Sequence, residues 1–264
     1  NVVPVSRYAR PAGIPIISFS NDSGVAGRDV FLLGHLPSQS IDRIVKYARS
    51  KGMVNFAGIV TRDVYGQRAM SNLASAVRNS GGRLVKVEEI SGSDASINTA
   101  TRSLSQSGPI DAVLVAAGGR TALQSMQALD KNGLANVKVL GTDRWNVAGS
   151  LANNPAAYGA WFASVADGLY NQYSAKYRAQ FGRAPIRLSS LGYDSILLVA
   201  RAAQNWPTNG AFPTATLTDA GGFIGIDGAF RFMPNGLSDR QLEVQEVRKG
   251  QFVTIDAAPK SFDQ

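Results

Sequence analysis

Four apolar stretches recur about every 28 residues through the middle of this chain, the spacing of successive strands in βαβ units. They begin near Phe56 (FAGIV), Arg83 (RLVKVEEI), Asp111 (DAVLVAA) and Val137 (VKVLG). Helical patterns run between them. Ile41, Ile44, Val45 and Ala48 fall at i, i+3, i+4 and i+7, as do Met70, Leu73, Ala74 and Val77. Asp63 and Asp94 stand where N-caps belong, and Gly81-Gly82 and Gly133 where helices stop. The expected class is therefore α/β, with a parallel sheet covered on both faces.

The second half follows other rules. Helical patterns cover 167–181 and 189–205. After Gly221-Gly222 come AFRFM, QLEVQEV and QFVTI, joined by MPNGLS and RKG, which predicts an antiparallel meander. At the start, IPIISF (14–19) and VFLLG (30–34) predict two buried strands. With the helices after 165 they make a layer too thin to bury its own sheet. More chain upstream, or another subunit, is expected to cover it. The chain opens without a start methionine, as a processed chain does.

Composition excludes several kinds of chemistry. With no cysteine there are no disulfides, thiolate nucleophiles or cysteine metal sites. A single histidine, His35, leaves no material for a histidine zinc site or a Ser-His-Asp relay, and it is expected to be structural. The net charge of +8 comes mostly from single arginines spread along the chain, without a basic run interleaved with aromatics, so nucleic acid is not the expected partner. No apolar run approaches the roughly 18 residues of a membrane span. G-x-S-x-G, S-x-x-K, G-x-G-x-x-G and a P-loop lysine are missing, and no carboxylates have metal-ligand spacing. The expected protein is not an enzyme and carries no cofactor or metal.

Open parallel sheets bind ligands beyond the carboxyl ends of their strands. Four polar loops follow such strands here: Ser20-Asn21-Asp22-Ser23, Thr61-Arg62-Asp63-Val64-Tyr65-Gly66, Gly118-Gly119-Arg120-Thr121 and Thr142-Asp143-Arg144-Trp145. A helix starting at Gly119 would offer backbone N–H groups to an anion. Arg62, Arg120 and Arg144 would then favour anionic ligands. Trp145 and Tyr193 are candidate apolar walls, although an aromatic beside a helix is more often core. Tyr170, Tyr173 and Tyr177 recur at helical spacing and read as packing.

An ordered series of stretches resembles the type I periplasmic binding proteins, most broadly the leucine/isoleucine/valine-receptor-like group. It runs PAGIPIISFSND, VFLLGHLPSQSIDRIVKYARSKG, RDVYGQRAMSNLASAVRNSGGRLVKVEE, DAVLVAAGGRTALQSMQALDKNGL, VLGTDRW and GAFRFMPNGLSDRQLEVQEVRKGQFVTID. The resemblance implies two Rossmann-like lobes with parallel sheets, joined by three crossings, with ligand trapped between them. It places the first lobe at 1–36 plus 165–228, lacking its opening strand–helix units, and the second at 37–164 plus 229–264.

Carried over residue by residue, the amino-acid receptors' site is half kept. Their small and hydroxyl residues fall on Ser20 and Asp22, where an acid would repel a ligand carboxylate. Their tyrosine falls on Tyr65. Their aromatic wall falls on Gly118, and their acidic partner for the ligand ammonium on Asp143. ISFSND, VYGQRA and DGAFRFMPNGLSDRQLEVQEV resemble a second branch of the same fold, the envelope lipoproteins called penicillin-binding-protein activators. That branch implies a periplasmic protein, lipid-anchored through upstream residues, that acts on cell-wall (peptidoglycan) synthesis by touching a synthase. The first expectation is this activator-like interaction protein. The alternative is the solute-binding receptor of an ABC transporter for an amino acid or related small acid, with the transporter's membrane components as partners.

Overall fold

The computed structural model describes residues 2–146, 149–204, 206–207 and 210–262. In chain order the elements are α1 (Val2–Ala9), β1 (Ile16–Ser18), β2 (Val30–Leu32), α2 (Pro37–Ser50), β3 (Asn55–Thr61), α3 (Val64–Asn79) and β4 (Arg83–Ile90). Then follow α4 (Asp94–Ser105), β5 (Ala112–Ala116), α5 (Gly119–Leu129), β6 (Lys138–Gly141), β7 (Trp161–Ser164), α6 (Gly168–Phe181) and α7 (Ser189–Ala203). The chain closes with β8 (Phe223–Gly225), β9 (Gly228–Phe232), β10 (Ser238–Arg240), β11 (Glu243–Arg248) and β12 (Gln251–Asp256).

Two compact units result. The first holds the chain up to Leu36, Val165–Leu242 and the tail from Ala258; the second holds Pro37–Ser164 and Glu243–Ala257. The boundary expected after residue 228 therefore lies after Leu242. The meander expected from AFRFM, QLEVQEV and QFVTI is split accordingly. β9 pairs antiparallel with β10 in the first unit, and β11 with β12 in the second. Three strands were not expected from the sequence, β7, β8 and β10, and Ser238-Asp239-Arg240 of β10 carry no apolar signal.

In the second unit the sheet order is β12-β11-β7-β6-β5-β3-β4. β4, β3, β5, β6 and β7 are parallel, and β11 and β12 extend the sheet antiparallel. Both faces are covered, which is why the central strands read as unbroken apolar runs. Ala57, Ile59, Val113 and Val115 face one core with Ile97, Leu104 and Met126. Phe56, Val60, Leu114 and Ala116 face the other with Ile41, Ile44, Val45, Ala48 and Leu73. Asp63 caps α3 as expected, accepting the Gly66 N–H at 2.8 Å. Asp94 does not cap α4: the N-cap is Ser93, whose hydroxyl accepts from the Ser96 N–H, and Asp94 is the first helical residue, where a negative charge still suits the helix dipole.

The first unit has a two-stranded parallel sheet, β1-β2, and a three-stranded antiparallel sheet, β10-β9-β8. Phe31, Leu33, Leu191, Leu198, Phe223, Phe230 and Phe232 form its main core. β2 is buried, but β1 is only half-buried, between exposed Ile14 and Phe19, so IPIISF is not the interior strand expected. No residue of α6 is buried. Its tyrosines do pack on one another, Tyr170 on Tyr173 at 6.0 Å and Tyr173 on Tyr177 at 5.9 Å.

Asp227 ties this unit together. It is fully buried and meets His35 Nε2 at 2.9 Å, the Arg187 guanidinium at 2.5 Å and the Ser190 hydroxyl at 2.8 Å. Arg187 also reaches Asp167 at 3.4 Å and lies over the Tyr170 ring. Burial would raise the Asp227 pKa, but the His35 hydrogen bond and the Arg187 charge outweigh it and hold the carboxyl at about 2. His35 is thus bound into a structural ion cluster.

Candidate ligand-binding site

The carboxyl ends of β3, β5 and β6 carry the polar loops of the second unit. Each loop is held by a local device. Gly66 lets α3 start directly against the end of β3, because a Cβ there would overlap the Thr61 carbonyl. Asp63 Oδ1, which accepts the Gly66 N–H, also accepts the Thr61 hydroxyl at 2.8 Å; these bonds, and then the nearby Arg144 charge, keep its carboxyl ionised below the usual range. α5 begins at Gly119 without a side-chain cap, its Gly118 N-cap extended and Gly119 at φ +50°.

The β6 loop closes on the other two. Tyr65 lies half-buried with its hydroxyl 2.8 Å from the Thr142 hydroxyl. The Arg144 guanidinium stacks 3.6 Å above the Tyr65 ring, a cation–π contact. Burial, then the Asp143 charge, pushes the Tyr65 phenol up to about 12, so it remains a neutral donor or acceptor at physiological pH. The Asp143 carboxylate accepts the Ser40 hydroxyl of α2 at 3.2 Å. Ser40 was not anticipated, since a serine in the first turn of a helix looks like any other.

Trp145 is not a wall. It is fully buried, and its indole N–H donates to the Ala117 carbonyl at 2.8 Å, fastening the β6 loop to the end of β5. Gly141 leaves room for that indole. Arg62 and Arg120 are exposed, and neither forms a side-chain hydrogen bond or ion pair among the described residues. The structure therefore brings Arg62, Tyr65, Gly118, Gly119, Arg120, Asp143 and Arg144 to one sheet edge of the second unit.

The remaining candidates belong to the first unit. The Ser20 hydroxyl accepts the Asp22 N–H at 3.1 Å, and Asp22 accepts the Gly24 N–H at 3.0 Å, starting a 3-10 turn over Ser23–Val25; Asn21 is exposed between them. Asp22 thus has a local structural task. Tyr193 is half exposed on α7, 5.5 Å from the Tyr173 ring. Among the described residues no cluster of His, Asp and Glu could hold a metal, and no helix is long and apolar enough to cross a membrane.

A parallel sheet with its polar loops at the carboxyl edge is shared by many families. The family model described as "Periplasmic binding protein" matches residues 2–251. The chain belongs to the periplasmic binding protein family. Solved structures of this fold agree. A putative branched-chain amino acid ABC transporter protein from Rhodospirillum rubrum superposes with a TM-score of 0.80 at 19% identity, covering 95% of this chain and 75% of that one. An ABC transporter substrate-binding protein from Desulfitobacterium hafniense, solved with Leu, gives 0.71 at 16% identity, covering 96% and 77%. A solute binding protein of an ABC transporter from Rhodopseudomonas palustris BisB5, solved with 3,4-dihydroxybenzoic acid, gives 0.68 at 19% identity, covering 99% and 76%. At such identities the likeness is one of fold. Among curated proteins none matches. This periplasmic binding protein thus has the type I, two-lobed fold of those solved structures.

Proposed function

We propose that this periplasmic binding protein is the substrate-binding component of an ABC transporter and takes up a small organic solute. The observation that carries the reading is the convergence of Tyr65, Thr142, Asp143 and Arg144 at one sheet edge, in a family whose structural neighbours are transport receptors. A hydroxyl pair, a carboxylate and a guanidinium lying on an aromatic ring can bind a polar head group and a flat or aliphatic body. The partners are the solute and the transporter's membrane subunits.

A thermal-shift screen with leucine, isoleucine, valine, benzoate and 3,4-dihydroxybenzoate tests it. A solute at 100 times its Kd adds about 2.7 kcal/mol, a rise of roughly 5–11 °C at ~2–4 °C per kcal/mol. No shift from any of the five would count against the receptor. The activator reading, in which a lipid-anchored protein touches a cell-wall synthase, then takes its place. In its favour stand the missing aromatic at Gly118 and the local role of Asp22, both departures from an amino-acid pocket.

A further inference from the structure

Charge at the carboxyl edge of the second unit is unbalanced, and the imbalance bears on what solute fits. The strand registers run Val60↔Ala116 and Leu114↔Leu140. In the sheet β5 lies between β3 and β6, so Gly118, two residues past the end of β5, lies between the loops that carry Arg62 and Arg144. The middle place is open: a Cβ on Gly118 would meet nothing within 4 Å. A gap therefore lies between two arginines, and a third, Arg120, stands on the first turn of α5. Arg62 and Arg120 have no ion pair among the described residues. The two nearby acids are already engaged, Asp63 with the Gly66 N–H and the Thr61 hydroxyl, and Asp143 with the Ser40 hydroxyl.

Taking the receptor reading as given, we infer that the gap over Gly118 seats a carboxylate, and that the solute is an organic acid lacking an ammonium group. A zwitterion would bring a cation to an edge where three guanidiniums, those of Arg62, Arg120 and Arg144, stand against the two carboxylates of Asp63 and Asp143, and like charges set side by side select against the wrong partner. The planar guanidinium suits the seat, because it can donate two parallel hydrogen bonds to one carboxylate.

Isothermal titration calorimetry on the whole chain with matched pairs tests this: leucine against 4-methylpentanoate, and phenylalanine against 3-phenylpropionate. Each acid is expected to bind at least about tenfold tighter than the amino acid of the same skeleton, a gain of about 1.4 kcal/mol. Arg62→Gln and Arg144→Gln should each weaken the acid about tenfold while leaving its neutral primary amide within about twofold. Gly118→Leu should abolish acid binding at an unchanged melting temperature, because Gly118 is extended at φ −106° with open space beside it. Tighter binding of the two amino acids would overturn the inference and leave the receptor standing. Undiminished acid binding by Gly118→Leu would remove the seat. No heat from any of the four solutes would overturn the receptor reading and this inference with it.

Discussion

Gly141 and Trp145 show how little freedom a loop residue has once its neighbour is fixed. A methyl group at Gly141 would run into the Trp145 indole, and that indole is already held by the Ala117 carbonyl. Gly141→Ala is expected to cost ~1–3 kcal/mol by overpacking. Urea unfolding would show it as a lower midpoint at an unchanged slope; an unmoved midpoint would contradict the packing described. The same pair shows where reading by sequence stops. An aromatic in a polar loop looks like a pocket wall, and what makes Trp145 core is a carbonyl 28 residues away. Tyr65 and Arg144 could be placed near the carboxyl edge from the sequence, because each stands within four residues of a strand end. Their stacking was not, since it depends on how two loops meet.

At the scale of elements, the Asp227 cluster draws several segments of the first unit to one buried carboxylate: the loop after β2 through His35, the start of α7 through Ser190, and Arg187 just before it. Removing the charge leaves Arg187 with an unbalanced position, so Asp227→Asn should cost about 3–5 kcal/mol near neutral pH. The pH dependence has a fixed sign. Asp227 titrates at about 2 when folded and near 3.9 when unfolded, so its contribution is present above the unfolded value and is lost as pH falls through about 2. In chemical denaturation the stability gap between wild type and Asp227→Asn should therefore narrow by about 2 kcal/mol between about pH 4 and pH 2. A stability gap that stays constant over that range would show that the Asp227 charge is not what matters. The central strands β3 and β5 were legible because burial on both faces makes an apolar run, and the edge strand β4 from its place in the strand–helix spacing. β8 and β10 were not: three residues are too few to show a period, and Ser238-Asp239-Arg240 is polar throughout. Period alone also cannot say which sheet a strand joins, so the hairpins β9-β10 and β11-β12 read as one meander.

For the molecule as a whole, the sequence carried the class and the two-unit plan, because both follow from strand spacing and ordered motifs. The boundary moved to Leu242 since the chain changes units between two strands with no loop signal at the crossing. A net charge of +8 spread over single arginines gives a weak general attraction for acids. Specific binding has to come from the few that converge. Solute bound on the carboxyl edge of the second unit would register in hydrogen–deuterium exchange. The protein would be compared alone and saturated with the tightest-binding solute of the thermal screen. Exchange should slow in 61–66, 117–122 and 141–146, with 83–89 and 251–256 unchanged. Slowed exchange confined to other segments, or none at saturation, would contradict binding at that edge.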